Sequence, residues 1–258
     1  MPTETALGTR LSEALAEIER ADVVAGIPSF NNAATIAQVV AAVRDGLLES
    51  FPGERCVIVN SDGGSRDGTP DIARESDTLE LRVIAGPYEG PSGKGSALRA
   101  VFESIRMLGA RAGCVLDSDL RSVTPRWVDR LARPVAERRA DFVTPLYVRH
   151  KHDGTITNAV AYPLVRALYG QRVRQPIGGE FGFSAALARR YLEEDVWEGD
   201  AARFGIDIFM TTTALASGAR VMQAALGAKI HDPKDPAAHL GPMFAQVLGS
   251  AIRQVGRH

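Results

Sequence analysis

Four short apolar runs in the first half of the chain each break into a polar loop rich in Gly, Pro, Ser and Asp, with helical patterns between them. The runs cover residues 23–27, 57–59, 81–85 and 113–116, and a further one covers 141–147. Continuous apolar runs of this length fit strands buried on both faces, as parallel strands are. Ile36, Val39, Val43 and Leu47 share one helical face, and Asn31 or Asn32 is placed to cap that helix. Residues 96–108 carry a second helical pattern. This rhythm predicts an α/β fold, a mostly parallel central sheet with helices on both faces. Ligands of such sheets bind beyond the carboxyl ends of the strands. The loops there, residues 28–32, 60–69, 86–95 and 117–124, are therefore predicted to open on one edge.

The second half is less regular. Residues 157–169 and 205–217 read as helical, 180–184 as extended and 221–226 as a strand, and a closing helix spans about 236–255. No repeat, low-complexity tract or linker divides the chain, so one domain over residues 1–258 is expected. Thirty basic residues against 31 acidic ones argue against a nucleic-acid partner, which needs a basic excess. Cys56 and Cys114 sit in apolar runs and read as buried thiols. The first twenty residues, with Leu11, Leu15 and Ile18 at helical spacing, suit a surface helix rather than a signal peptide. No stretch approaches the ~18 apolar residues of a membrane span. A cytoplasmic location is expected.

Three loops carry residues suited to chemistry. Asp117-Ser118-Asp119 follows the fourth run. Two carboxylates at a sheet edge would repel unless a cation joined them, and oxygen ligands suit Mg²⁺ or Mn²⁺ against a diphosphate. A helix cap with a solvated turn is the plainer alternative. In the stretch Asn60-Ser61-Asp62-Gly63-Gly64-Ser65, Asp62 could accept from a nucleobase imide or a ribose, or the run could be an ordinary turn. Gly93-Lys94-Gly95 lacks the spacing of a P-loop, yet it sets Lys94 and backbone amides at a helix start, a natural anion site. A solvated lysine is the alternative there.

Taken in order, Ile27-Pro28 with Asn31, the 62–69 loop, Gly93-Lys94-Gly95 and Asp117-Ser118-Asp119 resemble the nucleotide-binding half of a GT-A glycosyltransferase similar to family 2. Gln175-Pro176-Ile177-Gly178-Gly179-Glu180, Gly205-Ile206-Asp207 and Gly227-Ala228-Lys229-Ile230-His231 resemble the retaining synthases of mannosylglycerate, glucosylglycerate or glucosyl-3-phosphoglycerate. The resemblance implies a nucleotide half at about 21–125 and a sugar and acceptor half at about 126–258.

The same resemblance implies roles for individual residues. Pro28, Phe30, Asn31 and Asp62 would frame the nucleotide, Lys94 would face the pyrophosphate, and Asp117 and Ser118 would meet the sugar nucleotide. Asp119 and His231, supported by Asp117, would hold Mg²⁺ or Mn²⁺. Gly178, Gly179 and Glu180 would lie under the transferred hexose. Asp207 would sit near the sugar or acceptor, so Glu180 and Asp207 are the catalytic candidates. Arg149, Thr157 and Asn158 would take a small hydroxy-acid acceptor such as glycerate or 3-phosphoglycerate, although 149–152 also reads as a basic surface loop. The donor would be a UDP- or GDP-linked hexose, transferred with retention, and a homodimer is implied as possible. Inverting family 2 transferases of polysaccharide or glycolipid synthesis, sugar-nucleotide nucleotidyltransferases and a catalytically dead sensor are the competing readings.

Overall fold

The computed structural model describes residues 5–148, 154–231 and 236–256. Its centre is a seven-stranded sheet in the order β3-β2-β1-β4-β6-β5-β7. The strands are β1 (Val23–Ser29), β2 (Cys56–Asp62), β3 (Arg82–Pro87), β4 (Ala112–Val115), β5 (Phe142–Val148), β6 (Phe181–Ser184) and β7 (Val221–Ala228). β1 to β4 run parallel, and β5 runs parallel to β7. β6 is the exception, lying between β4 and β5 and antiparallel to both.

Every residue of β1 and β2 is buried, as expected for strands covered on both faces. Alternation assigns Val23, Ala25 and Ile27 to one face, where α2 (Ile36–Ser50) and α5 (Pro125–Ala136) supply Val39, Val43, Leu47, Val128 and Leu131. On the other face Val24, Val57 and Val59 meet α1 (Thr9–Ala16), α4 (Lys94–Leu108), α7 (Ala185–Glu193) and α8 (Ile206–Ala216). The helices therefore cover both faces, as the periodicity predicts. A short helix, α3 (Thr69–Arg74), follows the β2 loop, and α6 (Tyr162–Tyr169) continues a π-helical turn at Thr157–Ala161. The closing helix, α9 (Pro236–Val255), packs Val247 and Ala251 beside Ile208 of α8. Cys56 and Cys114 are buried free thiols; burial pushes each pKa up to about 12, with Glu54 and Asp22 adding to the shift at Cys56. They are inert packing groups.

The topology fixes where function can sit. The register Val115↔Phe181 sets residues 178–180 against the chain leaving β4. β7 runs parallel to β5, so its carboxyl end reaches the same edge and carries residues 229–231 there. A register shift between Leu146 and Tyr147 sets Gly227 opposite Tyr147, and Gly227 has φ +80°, a conformation that glycine adopts without strain.

One local expectation fails. Asn31 and Asn32 do not cap α2, whose N-cap is Thr35 without a side-chain cap bond. Asn31 has φ 53°, and its Oδ1 accepts from Arg66 N at 3.0 Å. Asn32 Oδ1 accepts from Phe30 N at 3.0 Å and from Ser118 Oγ at 2.8 Å. Both side chains join loops to one another instead of closing a helix end.

Candidate active site

The four loops do converge. A cleft of about 420 Å³ at the carboxyl edge is lined by Pro28 and Phe30, by Gly63, by Tyr88, Gly93 and Lys94, and by Asp117, Ser118 and Asp119. Phe204 and Met243 close it from the second half. Cross-loop bonds hold the rim together. Asn31 N donates to Ser65 Oγ at 2.7 Å, Asn32 N to Thr69 Oγ1 at 2.8 Å, and Thr35 Oγ1 to the Ser118 carbonyl at 2.7 Å. Phe30 is 62% exposed and presents its ring at the rim beside Gly63, where a Cβ would come within 3.2 Å of it. An exposed aromatic backed by a glycine is a stacking surface for a flat ring.

Below the cleft lies a compact ionic network. Lys94, the first residue of α4, sets its Nζ 2.7 Å from Asp117 Oδ1 and 3.2 Å from Asp207 Oδ1, and donates to the Gly179 carbonyl. Lys229 Nζ is 2.9 Å from Asp117 Oδ2, 2.8 Å from Glu180 Oε1 and 3.0 Å from the Gly178 carbonyl. The Tyr147 hydroxyl donates to Glu180 Oε2. Gly179 sits at φ +95°, and a Cβ there would come 2.4 Å from Asp117 Oδ2, so the network leaves room only for glycine. Burial alone would lower the pKa of both lysines, but the carboxylates around them outweigh it and hold each ammonium above its ordinary value. Burial likewise pushes Glu180 up to about 7, against the pull of Lys229.

This arrangement gives several of the expected residues partners within the chain. Asp117, expected to support the metal, is ion-paired within the chain, with one oxygen facing Lys94 Nζ and the other Lys229 Nζ. Asp62 is not offered to a nucleotide. It accepts from Ser29 Oγ, Ser65 Oγ, Gly64 N and Ser65 N within 2.9 Å, which fills a carboxylate's capacity and makes it the organiser of its own turn. Glu180 is fully buried, with its carboxylate turned to Lys229 and Tyr147, and it supports the floor beneath the cleft. Asp207 is largely buried and spends its charge on Lys94. Thr157 is buried in the π-helical turn, and neither it nor Asn158 is among the described residues lining the cleft. Arg149 lies outside the described residues. Lys229, which ties three loops together, had no assigned role in the sequence; its place two residues before His231 at a strand end was the available signal.

Asp119 and His231 do approach through the backbone. Leu120 and His231 form an antiparallel bridge, Arg121 N donates to the Ile230 carbonyl at 2.8 Å, and Ile230 N to Ser122 Oγ at 2.9 Å. Among the described residues no group of three or more His, Cys, Asp or Glu side chains is disposed to hold a metal ion. The ligand set that a closed structural zinc site needs is not gathered among the described residues. One carboxylate with one imidazole fits a different ion, Mg²⁺ or Mn²⁺, which keeps its other positions for water and phosphate oxygens.

The model of glycosyl transferase family 2 matches residues 25–197. The structure is similar to glucosyl-3-phosphoglycerate synthase from Mycobacterium tuberculosis in complex with Mn²⁺, UDP and glucosyl-3-phosphoglycerate, with a TM-score of 0.71 and 23% identity over 99% of this chain and 87% of that one. A complex of that enzyme with Mg²⁺ and UDP gives a TM-score of 0.71 at 24% identity, covering 98% and 86% of the two chains. Its complex with Mn²⁺, UDP-glucose and glycerol 3-phosphate gives 0.69 at 24% identity, covering 99% and 87%. No curated protein sequence matches the chain. At these identities the structural likeness establishes the GT-A fold.

Proposed function

The chain belongs to glycosyl transferase family 2, and from that premise we propose that it moves a hexose from a nucleotide diphosphate to a small hydroxy acid, with retention. UDP is the nucleotide we favour over GDP, because the structural relatives were crystallised with UDP or UDP-glucose. The acceptor class, glycerate or a phosphorylated relative, is supported by their phosphoglyceric acid and glycerol 3-phosphate ligands. Residues of the first half would take the nucleotide, and α8 and α9 would wall the sugar and acceptor side within one functional unit.

The observation that carries this reading is that Lys94 and Asp119 line one cleft, above an ion-paired floor of Lys94, Asp117 and Lys229, and that the backbone beside Asp119 bridges His231. Asp119 and His231 would hold Mg²⁺ or Mn²⁺, which when bound supplies positive charge for a leaving diphosphate. Phe30 offers its ring to the base. Lys94 stands at the helix start and supplies a fixed positive charge where negative charge develops. Glu180 fixes Lys229 and thereby the Gly178-Gly179 turn under the hexose. The acceptor hydroxyl forms the new bond to the anomeric carbon as the bond to the diphosphate breaks. Asp207 Oδ1 is engaged by Lys94 Nζ. The hydroxyl proton is then taken by the departing phosphate oxygen, and this favours retention. The test is transfer from UDP-glucose to 3-phosphoglycerate or glycerate with Mn²⁺, read by NMR. An α-linked product from the α-linked donor supports the proposal; a β-linked product, or transfer to neither acceptor, contradicts it.

A further inference from the structure

Glu103 lies in the middle of α4 and is 4% exposed. A buried carboxylate is costly unless donors surround it. One of its oxygens faces Arg99 Nε at 3.3 Å, one turn back on the same helix. The other is met from outside the helix: Thr5 Oγ1 donates to Oε2 at 2.5 Å and Ala6 N donates to it at 3.0 Å. Glu103 therefore anchors the segment before α1.

That anchored segment lies along the loop that carries Lys94. Leu7 forms an antiparallel bridge with Tyr88, and Glu89 N donates to the Ala6 carbonyl at 2.9 Å. Gly8 packs so closely that a Cβ would fall 2.2 Å from the Pro87 carbonyl oxygen. Tyr88 passes the constraint on: its hydroxyl accepts from Gly93 N at 2.9 Å, and Tyr88, Gly93 and Lys94 all line the cleft. On the far side Gly95 is seated against the 3₁₀ turn Asp200–Ala202, with its N–H bonded to the Arg203 carbonyl at 3.2 Å. The loop is gripped between two outside elements.

We infer that residues 5–8 are a strap that sets the 86–95 loop for donor binding, and that Glu103 is the positioning residue that fastens it. Its effect reaches the donor through Tyr88 and Gly93 to Lys94, and none of the strap residues touches the cleft. The inference rests on the donor reading of that cleft. Release of the strap loosens the loop locally and leaves α2, whose apolar face packs in the cluster on the opposite side of the sheet, as it is.

The experiment compares wild type with Glu103→Ala and with the milder, surface-side Thr5→Val. Hydrogen exchange of the 86–95 amides is measured by mass spectrometry, and UDP affinity in Mn²⁺ by calorimetry. The strap predicts faster exchange at 86–95, unchanged protection in α2, and UDP binding weakened by about tenfold for Glu103→Ala and less for Thr5→Val. Unchanged exchange at 86–95 in both variants overturns it, as does faster exchange with wild-type UDP affinity, or a general loss of protection across the sheet. Should wild type itself bind no UDP, the donor reading fails, and the exchange result alone then decides the strap.

Discussion

Asp119 and His231 lie far apart in the chain and meet because the backbone at 230–231 pairs with that at 120–122. If they share an ion, Asp119→Ala and His231→Ala each lower Mn²⁺-dependent transfer by roughly 100-fold or more, while folding is retained. Steady-state rates alongside circular dichroism check this. Glu180 gives a separate signature. Its pKa is raised by burial above the ordinary 4.5 to about 7. A raised acid contributes its stability below pH 4.5 and loses it as pH rises through 7, on the order of 3 kcal/mol at this shift. Glu180→Gln should therefore match wild type near pH 4.5 and exceed it in melting temperature near pH 8; a parallel pH dependence of the two proteins would contradict the assignment. At this scale the sequence was legible where a residue's place follows from its strand, as for Lys94, Asp117 and Asp119 on the cleft. It was silent where partners within the chain decide the role. Asp62 and Glu180 look available in one dimension, and only the folded loops reveal donors that occupy them.

β6 is the element whose direction no local pattern announced. Four residues, Phe181–Ser184, read as extended, but their direction depends on the return of the chain from α6 and on the gap between β4 and β5. β1, β2 and β4 were legible because buried parallel strands are apolar over most of their length and their loops are polar. α3, α5 and α7 were not anticipated; α5 holds Pro134, and α3 and α7 span 6 and 9 residues, too short to establish a period. β6 admits α5 closely. A Cβ on Gly182 would stand 1.9 Å from the Leu131 carbonyl oxygen, which is backbone and cannot swing away. Gly182→Ala should thus cost about 1–3 kcal/mol in urea unfolding. A cost below about 0.5 kcal/mol would mean that α5 does not lie where described.

Across the whole molecule the sheet edge unites the two halves: loops after β1 to β4 form one wall, and the chain before β6 and after β7 forms the floor. No helix of the described residues is long and apolar enough to cross a membrane. Ligand binding at such a seam stabilises the fold by mass action, by roughly 2.7 kcal/mol at a hundredfold excess over Kd. UDP with Mn²⁺ should therefore raise the melting temperature, and UDP with EDTA should raise it much less. Equal shifts with and without metal would remove the divalent ion from the account. Crystals grown with Mn²⁺ and UDP locate the shared ion through anomalous scattering at the manganese edge. The account predicts one peak within coordinating distance of both an Asp119 oxygen and a His231 ring nitrogen, with UDP phosphate oxygens on the same ion. A peak elsewhere, or UDP bound with those two side chains on different ions, contradicts it.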